Sequence, residues 1–162
     1  MIKYIKYADG RQRKRSIAEL FPVEEHQMPA VFPTIEWLKE FETKLNTDEH
    51  YAHIARNWEG DMYLVIEPEG NLKTQTVMYL DLWHGKCRGT EIVAEIAQHN
   101  PAFTLKAGYI NFAKVLKGEL DPMQAMLTRK LDVKGNMAVM MRNVPTVLDF
   151  VRCAREMTTE IL

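Results

Sequence analysis

The sequence predicts an α+β fold, with strands running consecutively through its middle and helices gathered at either end. Three observations carry this reading. Apolar residues recur at helical spacing from Ile35 to Trp58, change to strand-like composition beyond Gly60, and return to helical spacing after Tyr109. A length of 162 residues suits one ordinary core. With 46% hydrophobic and 27% charged residues, the composition is that of a globular domain rather than a fibrous or disordered chain.

The elements follow in order. MIKYIKY and RQRKRSI flank Asp9-Gly10, a dipeptide suited to the positive φ angles of a hairpin turn. Pro22, Pro29 and Pro33 then remove amide donors and bias their predecessors away from helix, so 21–33 reads as an extended connector. Residues 1–33 are therefore expected to form an N-terminal flap and connector, and 34–162 the main domain. Thr34 offers a side-chain cap to a helix whose inward face is Ile35, Leu38, Phe41 and Leu45. Asn46 to Glu49 has the form of a capping box and restarts a helix with Tyr51, Ile54, Ala55 and Trp58 inward.

GDMYLVIEPEG, TQTVMYLDLW and KCRGTEIV read as an antiparallel three-stranded meander, the last two joined at His84-Gly85. AFTLKA is a fourth strand, and LDVKG a short fifth. Between them come a helix stopped by Gly118 and a second one begun by Asp121-Pro122. Asn136 caps a further helical turn, and a final helix is expected from about Pro145 to the C-terminus.

Several functional classes are disfavoured. No uninterrupted apolar run exceeds five residues, against the roughly 18 of a membrane span. No basic-then-apolar leader follows Met1, and Cys87 and Cys153 form no framework, so a cytoplasmic, reducing location is expected. The net charge of −1 lacks the basic field of a general nucleic-acid binder, so no nucleic-acid partner is expected. No glycine-rich phosphate loop, GxSxG elbow or HExxH occurs, and neither a cofactor nor a metal is expected.

The composition has one outlier. There are ten methionines, six of them (Met123, Met126, Met137, Met140, Met141, Met157) in the last quarter of the chain. Beside them, the final helix carries two apolar arcs: Val144, Val147, Leu148, Val151 and Ala154, then Phe150, Cys153, Met157 and Ile161. Only Asp149, Arg152 and Glu156 make a polar stripe. One contact needs about half that apolar surface, so either neighbours bury both arcs or one arc faces a cavity. Flexible thioethers repack around varied shapes, which suits a cavity.

The run from Tyr109 to Ala154 resembles the sterol-carrier-protein family, through Gly118-Glu119-Leu120-Asp121-Pro122 and Lys130-Leu131-Asp132-Val133-Lys134-Gly135-Asn136-Met137. FPTIEWLKEF, Trp58-Glu59-Gly60 and YLDLWHGKC resemble its single-domain microbial members. The resemblance implies a five-stranded mixed sheet covered by helices that enclose an apolar tunnel. It also implies non-covalent binding of a lipid: a sterol, fatty acid, fatty acyl-CoA or other apolar chain. The expected ligand-binding residues are Phe112, Leu116, Met123, Met126, Leu127, Met137, Met140, Met141, Val147, Phe150, Val151 and Met157. Arg129 and Lys130 are candidate contacts for a carboxylate or CoA phosphate.

Competing readings rest on other residues. The extra arc of the last helix could dock on an enzyme or a second copy through Phe150 and Met157, so either a monomer or a homodimer is compatible. Arg11, Arg13, Lys14 and Arg15 could touch an anionic membrane surface transiently, although a solvated loop explains them as well. His50 and His53 have a metal-sharing spacing without a third ligand, and read as a solvated face. His84 and Cys87 could serve a thiol enzyme, yet a turn residue and a buried small residue is the better account.

Overall fold

The computed structural model describes residues 4–6, 12–14 and 30–162. Strands β1 (Tyr4–Lys6) and β2 (Gln12–Lys14) pair antiparallel, with Tyr4 opposite Lys14. The Asp9-Gly10 turn, Arg11, Arg15 and the connector over 21–29 lie outside the described residues.

A second pairing has no counterpart in the sequence pattern. Strand β3 (Val31–Phe32) runs parallel to β9 (Glu160–Ile161), and the Leu162 amide donates to Phe32 O at 3.0 Å. The last helix therefore does not reach the C-terminus. It ends at Met157, and Ile161 belongs to this short strand rather than to a helical arc. The Thr158 hydroxyl helps make the exit, accepting from Trp37 Nε1 at 2.9 Å and donating back to Ala154 O.

Helix α1 (Ile35–Thr47) is capped by Thr34, whose hydroxyl accepts from the Trp37 amide. Its buried face is Trp37, Leu38, Phe41 and Leu45; Ile35, expected inside, is 40% exposed because Trp37 takes the first inward position. Helix α2 (Glu49–Ile54) is capped by Asp48, which accepts from the Tyr51 amide at 2.9 Å, and not by Asn46. Asn46 does something else. Its side-chain amide donates to Cys87 O and accepts from Cys87 N, both at 2.8 Å, so it closes the open edge of the sheet as a strand would.

The main sheet has five strands, in the spatial order Lys86–Ile92, Thr76–Trp83, Met62–Glu67, Phe103–Gly108 and Asp132–Lys134. Strands β4 (Met62–Glu67), β5 (Thr76–Trp83) and β6 (Lys86–Ile92) form the expected antiparallel meander. Strand β7 (Phe103–Gly108) joins β4 in parallel, and β8 (Asp132–Lys134) closes the far edge antiparallel to β7, which makes the sheet mixed. The β5–β6 turn places His84 at φ 48° and Gly85 at φ 76°, both in the left-handed region that twists a hairpin correctly. Glycine is required there for a second reason: a Cβ at Gly85 would lie 2.5 Å from Ala52 O.

Alternation sends Met62, Leu64 and Ile66 to the inner face with Met78, Leu80, Leu82, Phe103, Leu105 and Ala107. Tyr63, Val65 and Val77 point outward, yet they are buried in a small second cluster with Val93. Here the Tyr79 ring stacks on His99 at 3.8 Å, and Tyr63 exchanges hydrogen bonds with the His99 backbone.

Over the inner face lie α3 (Tyr109–Leu116), α4 (Pro122–Leu127), α5 (Met137–Arg142) and α6 (Val144–Met157), besides α1 and α2. Asp121 caps α4 through the Gln124 amide with Pro122 at the first turn, and Asn136 caps α5 through the Ala138 and Val139 amides. The result is the α+β arrangement anticipated, a five-stranded mixed sheet covered by six helices among the described residues.

Candidate functional site

Between sheet and helices lies an apolar cavity. The sheet supplies Met62, Leu64, Leu82, Leu105 and Ala107, and Phe32, Trp37, Phe41, Tyr51 and Trp58 add aromatic wall. The helical cover supplies Phe112, Val115 and Leu116 from α3, Ala125 and Met126 from α4, Met140 from α5, and Thr146, Val147, Phe150, Val151 and Ala154 from α6. Leu120, Pro122 and Leu131 complete the wall. Empty space among these atoms amounts to about 920 Å³ when counted out to solvent. This space forms an apolar slot between the sheet and its helical cover.

Burial locates its mouth. Leu64 and Leu82 of the sheet and Trp37 of α1 are buried, whereas Asn111, Phe112, Val115, Leu116, Leu120, Met126, Val147 and Val151 are half-buried. The cavity therefore opens through the α3–α4–α6 side.

Polar groups of the wall are mostly engaged elsewhere. Trp58 Nε1 donates to Gly60 O, Thr146 Oγ1 to Ile54 O, and Asn111 Nδ2 to Lys130 O at 3.1 Å. With these donors spent, the slot offers carbon contact and little hydrogen bonding.

Helix α6 is divided by its own periodicity. At 100° per residue, Thr146, Val147, Phe150, Val151 and Ala154 face the slot, and Asp149, Arg152 and Glu156 lie on the opposite side. That opposite side is not simply solvated, since Asp149 is only 6% exposed. Arg152 reaches Asp149 and Asp48 at 2.7 Å each and Glu156 at 2.9 Å, while Lys44 bridges Asp48 and Glu156. His50 Nδ1 lies 2.9 Å from Asp149 Oδ1. The guanidinium and the Tyr51 amide hold the Asp48 carboxyl far below the usual carboxylate range. Lys44 and then Arg152 depress Glu156 as well. This network fastens α6 to α1 and α2, and so fixes the back of the cavity wall.

Asp48, Asp149 and Cys153 bring three possible metal-ligand atoms within 4.8 Å of one another. The cation among them is already Arg152, whose Nη2 also lies 3.6 Å from Cys153 Sγ.

The expected site residues fall into two groups. Phe112, Leu116, Met126, Met140, Val147, Phe150 and Val151 stand on the cavity wall. Met123, Leu127, Met137, Met141 and Met157 stand off it: Leu127, Met137 and Met141 are exposed, while Met123 and Met157 are half-buried outside the slot. Arg129 and Lys130 are exposed and also off the wall, in the two positions before the wall residue Leu131. Residues of the sheet face and of α1, including Trp37, Phe41, Leu64 and Leu105, line the slot without having been expected there. The inward alternation of their strands and the helical spacing of α1 were the available signal.

The thiols are poor nucleophiles. Burial, aided by Glu42, pushes the Cys87 thiol up to about 12, and burial pushes Cys153 up to about 11. At pH 8 their thiolate fractions are then roughly one in ten thousand and one in a thousand, against about a quarter for a free thiol. Ellman's reagent should accordingly leave the folded protein unlabelled over minutes and label both thiols after unfolding; rapid native labelling would contradict this burial. His84 is drawn away from Cys87 chemistry by Glu59, 2.8 Å from its Nε2.

Comparison with known proteins agrees with this architecture. A crystal structure of sterol carrier protein 2 is 32% identical and superposes with a TM-score of 0.69, over 77% of this chain and 98% of that one. A conserved hypothetical protein from Thermus thermophilus, linked in its description to sterol carrier protein, is 31% identical with a TM-score of 0.68, over 76% and 87% of the chains. The sterol carrier protein domain 2 of Helicoverpa armigera shares the fold at 18% identity and a TM-score of 0.53, over 78% and 91%. No curated protein matches the sequence at a significant level. The SCP-2 sterol transfer family model matches residues 38–147, which hold most of the sheet and of the cavity wall. The chain belongs to that family of lipid-binding and lipid-transfer domains.

Proposed function

We propose that the protein binds one extended hydrophobic ligand without covalent chemistry, shields its chain in the slot and carries it through water. The observation that supports this reading best is the slot itself, lined by carbon from the sheet and from all six helices. Each methylene moved out of water contributes about 0.8 kcal/mol, so an acyl or isoprenoid chain gains affinity by length and not by specific polar contacts. A fatty acid, a fatty acyl-CoA, an isoprenoid or a sterol-like lipid fits this chemistry. The buried thiols suit a reducing compartment, and we place the protein in the cytoplasm.

The polar end of such a ligand belongs at the mouth. Asn111, on the wall, donates to Lys130 O, which supports Arg129 and Lys130 as the partners we propose for a carboxylate or phosphate. Docking through Phe150, the basis of an interaction-module reading, fits less well, because Phe150 is turned inward against Phe41 at 4.9 Å between ring centroids.

Native mass spectrometry of freshly purified protein, with fluorescent fatty-acid uptake in parallel, tests the reading. Co-purified lipid, or one-to-one uptake from solution, is expected. Arg129→Ala should weaken a fatty acid roughly three- to fivefold while leaving the matching alcohol unchanged, as for one exposed ion pair. A protein that arrives empty and takes up no chain-bearing probe would overturn it.

A further inference from the structure

We propose that Phe32 and Leu116 form a partition that caps the length of chain the slot accepts. This deepens the chain-binding reading and rests on it, since it names a specificity determinant of that same slot. A second cleft lies beside the C-terminal strand, lined by Leu116, Lys117, Thr158, Thr159, Ile161 and Leu162. Leu116 lines the slot and this cleft alike, so the wall there is one side chain thick. Phe32, on the slot wall, pairs with Ile161 of the cleft in the β3–β9 register. Trp37, also on the slot wall, donates through Nε1 to the Thr158 hydroxyl of the cleft at 2.9 Å. Three separate contacts thus mark one boundary between the two spaces.

Backbone bonds and aromatic packing hold this boundary. Val31 O accepts from the Thr34 hydroxyl at 2.6 Å and Phe32 O from the Leu162 amide at 3.0 Å, while the Tyr109 hydroxyl donates to Leu162 O. Phe32 is 1% exposed, and its ring centroid lies 4.9 Å from that of Trp37, 6.2 Å from Phe112 and 6.4 Å from Tyr109. A ring so enclosed does not swing aside for a chain unless the β3–β9 strap opens. On the far side the cleft presents a lysine and two threonines, where a methylene gains little. A chain therefore stops gaining affinity once its tail meets Phe32 and Leu116. Phe32 and all of β9 lie outside residues 38–147, so segments flanking the family match build much of this boundary.

A series of saturated fatty acids tests the assignment, from about ten to about twenty carbons, each competing with a fluorescent acyl probe on the full-length protein. In wild type every added methylene should tighten binding about fourfold up to a break, beyond which affinity levels off. Phe32→Ala vacates the room of a phenyl ring and should move the break outward by roughly three carbons. Leu116→Ala should move it by about two, and decides the matter if Phe32→Ala loses its fold, because Leu116 is only half-buried. Met126→Ala, a truncation of similar size on a part of the wall that does not touch the cleft, should weaken binding at every length and leave the break in place.

A looser fold alone would lower affinity at all lengths, so the position of the break is the deciding readout. The partition is overturned, with the carrier reading intact, by a wild type without a break, by a break that Leu116→Ala leaves unmoved, or by one that Met126→Ala moves as far. Wild type that takes up no chain of any length would remove the carrier reading, and the partition with it.

Discussion

Replacing Val151 with tryptophan is expected to abolish uptake of a fluorescent fatty acid while leaving the protein folded. Val151 projects from α6 into the slot and is half-buried, so an indole there displaces ligand without displacing the sheet. Excluding even four methylenes forfeits about 3 kcal/mol, which corresponds to a loss of roughly 200-fold in affinity. The melting temperature should hold or rise, because the indole supplies apolar contact where the wild type has space. Ala154→Phe, one turn further along the same face, serves as an independent second blockade. Retained uptake in both folded variants would show that the ligand sits elsewhere.

Arg152→Met should be the most destabilising change on the polar side of α6. It leaves Asp149, only 6% exposed, without its two-pronged contact, and it also removes a partner of Asp48. Breaking a buried pair costs roughly 3–5 kcal/mol, and the partial exposure of Arg152 reduces that to about 2–4. Thermal unfolding should show a fall of roughly 5–12 °C for a chain of this size. The pH dependence supplies a second reading. Because the Asp48 carboxyl is depressed in the folded state, its contribution is complete above the unfolded value near 4 and is lost as pH falls through the folded value. Wild type should therefore lose stability with acid below about pH 4, and the variant should lose less over the same interval. Equal melting temperatures at pH 7 would assign the network no structural role.

What can be read from residues alone follows the strength of their periodicity. The strands of the meander are legible because Met62, Leu64 and Ile66 alternate in a β-rich run, and because His84-Gly85 marks the turn. The double-faced α6 is legible because fourteen residues hold enough turns to reveal two arcs. The short helices are not. With six residues each, α4 and α5 make less than two turns, so Met126 and Met140 cannot be told from Leu127 and Met141 by spacing. The β3–β9 pair has two residues per strand and no period to detect. Asp149 looks like a surface residue by type alone; only Arg152, brought against it with Asp48 by the packing of α6 on the α1–α2 junction, accounts for its burial.

The cavity wall is not an annex to the core. Trp37, Phe41, Leu64, Leu82 and Phe150 belong to both, so the slot is a piece of the hydrophobic interior left unfilled by the chain itself. Any apolar guest is then a missing core residue, and occupancy is coupled to the unfolding equilibrium by mass action. A guest present at a hundred times its dissociation constant adds about 2.7 kcal/mol to the folded state. The vacant protein is the more fragile form, the one that proteases and chaperones meet first.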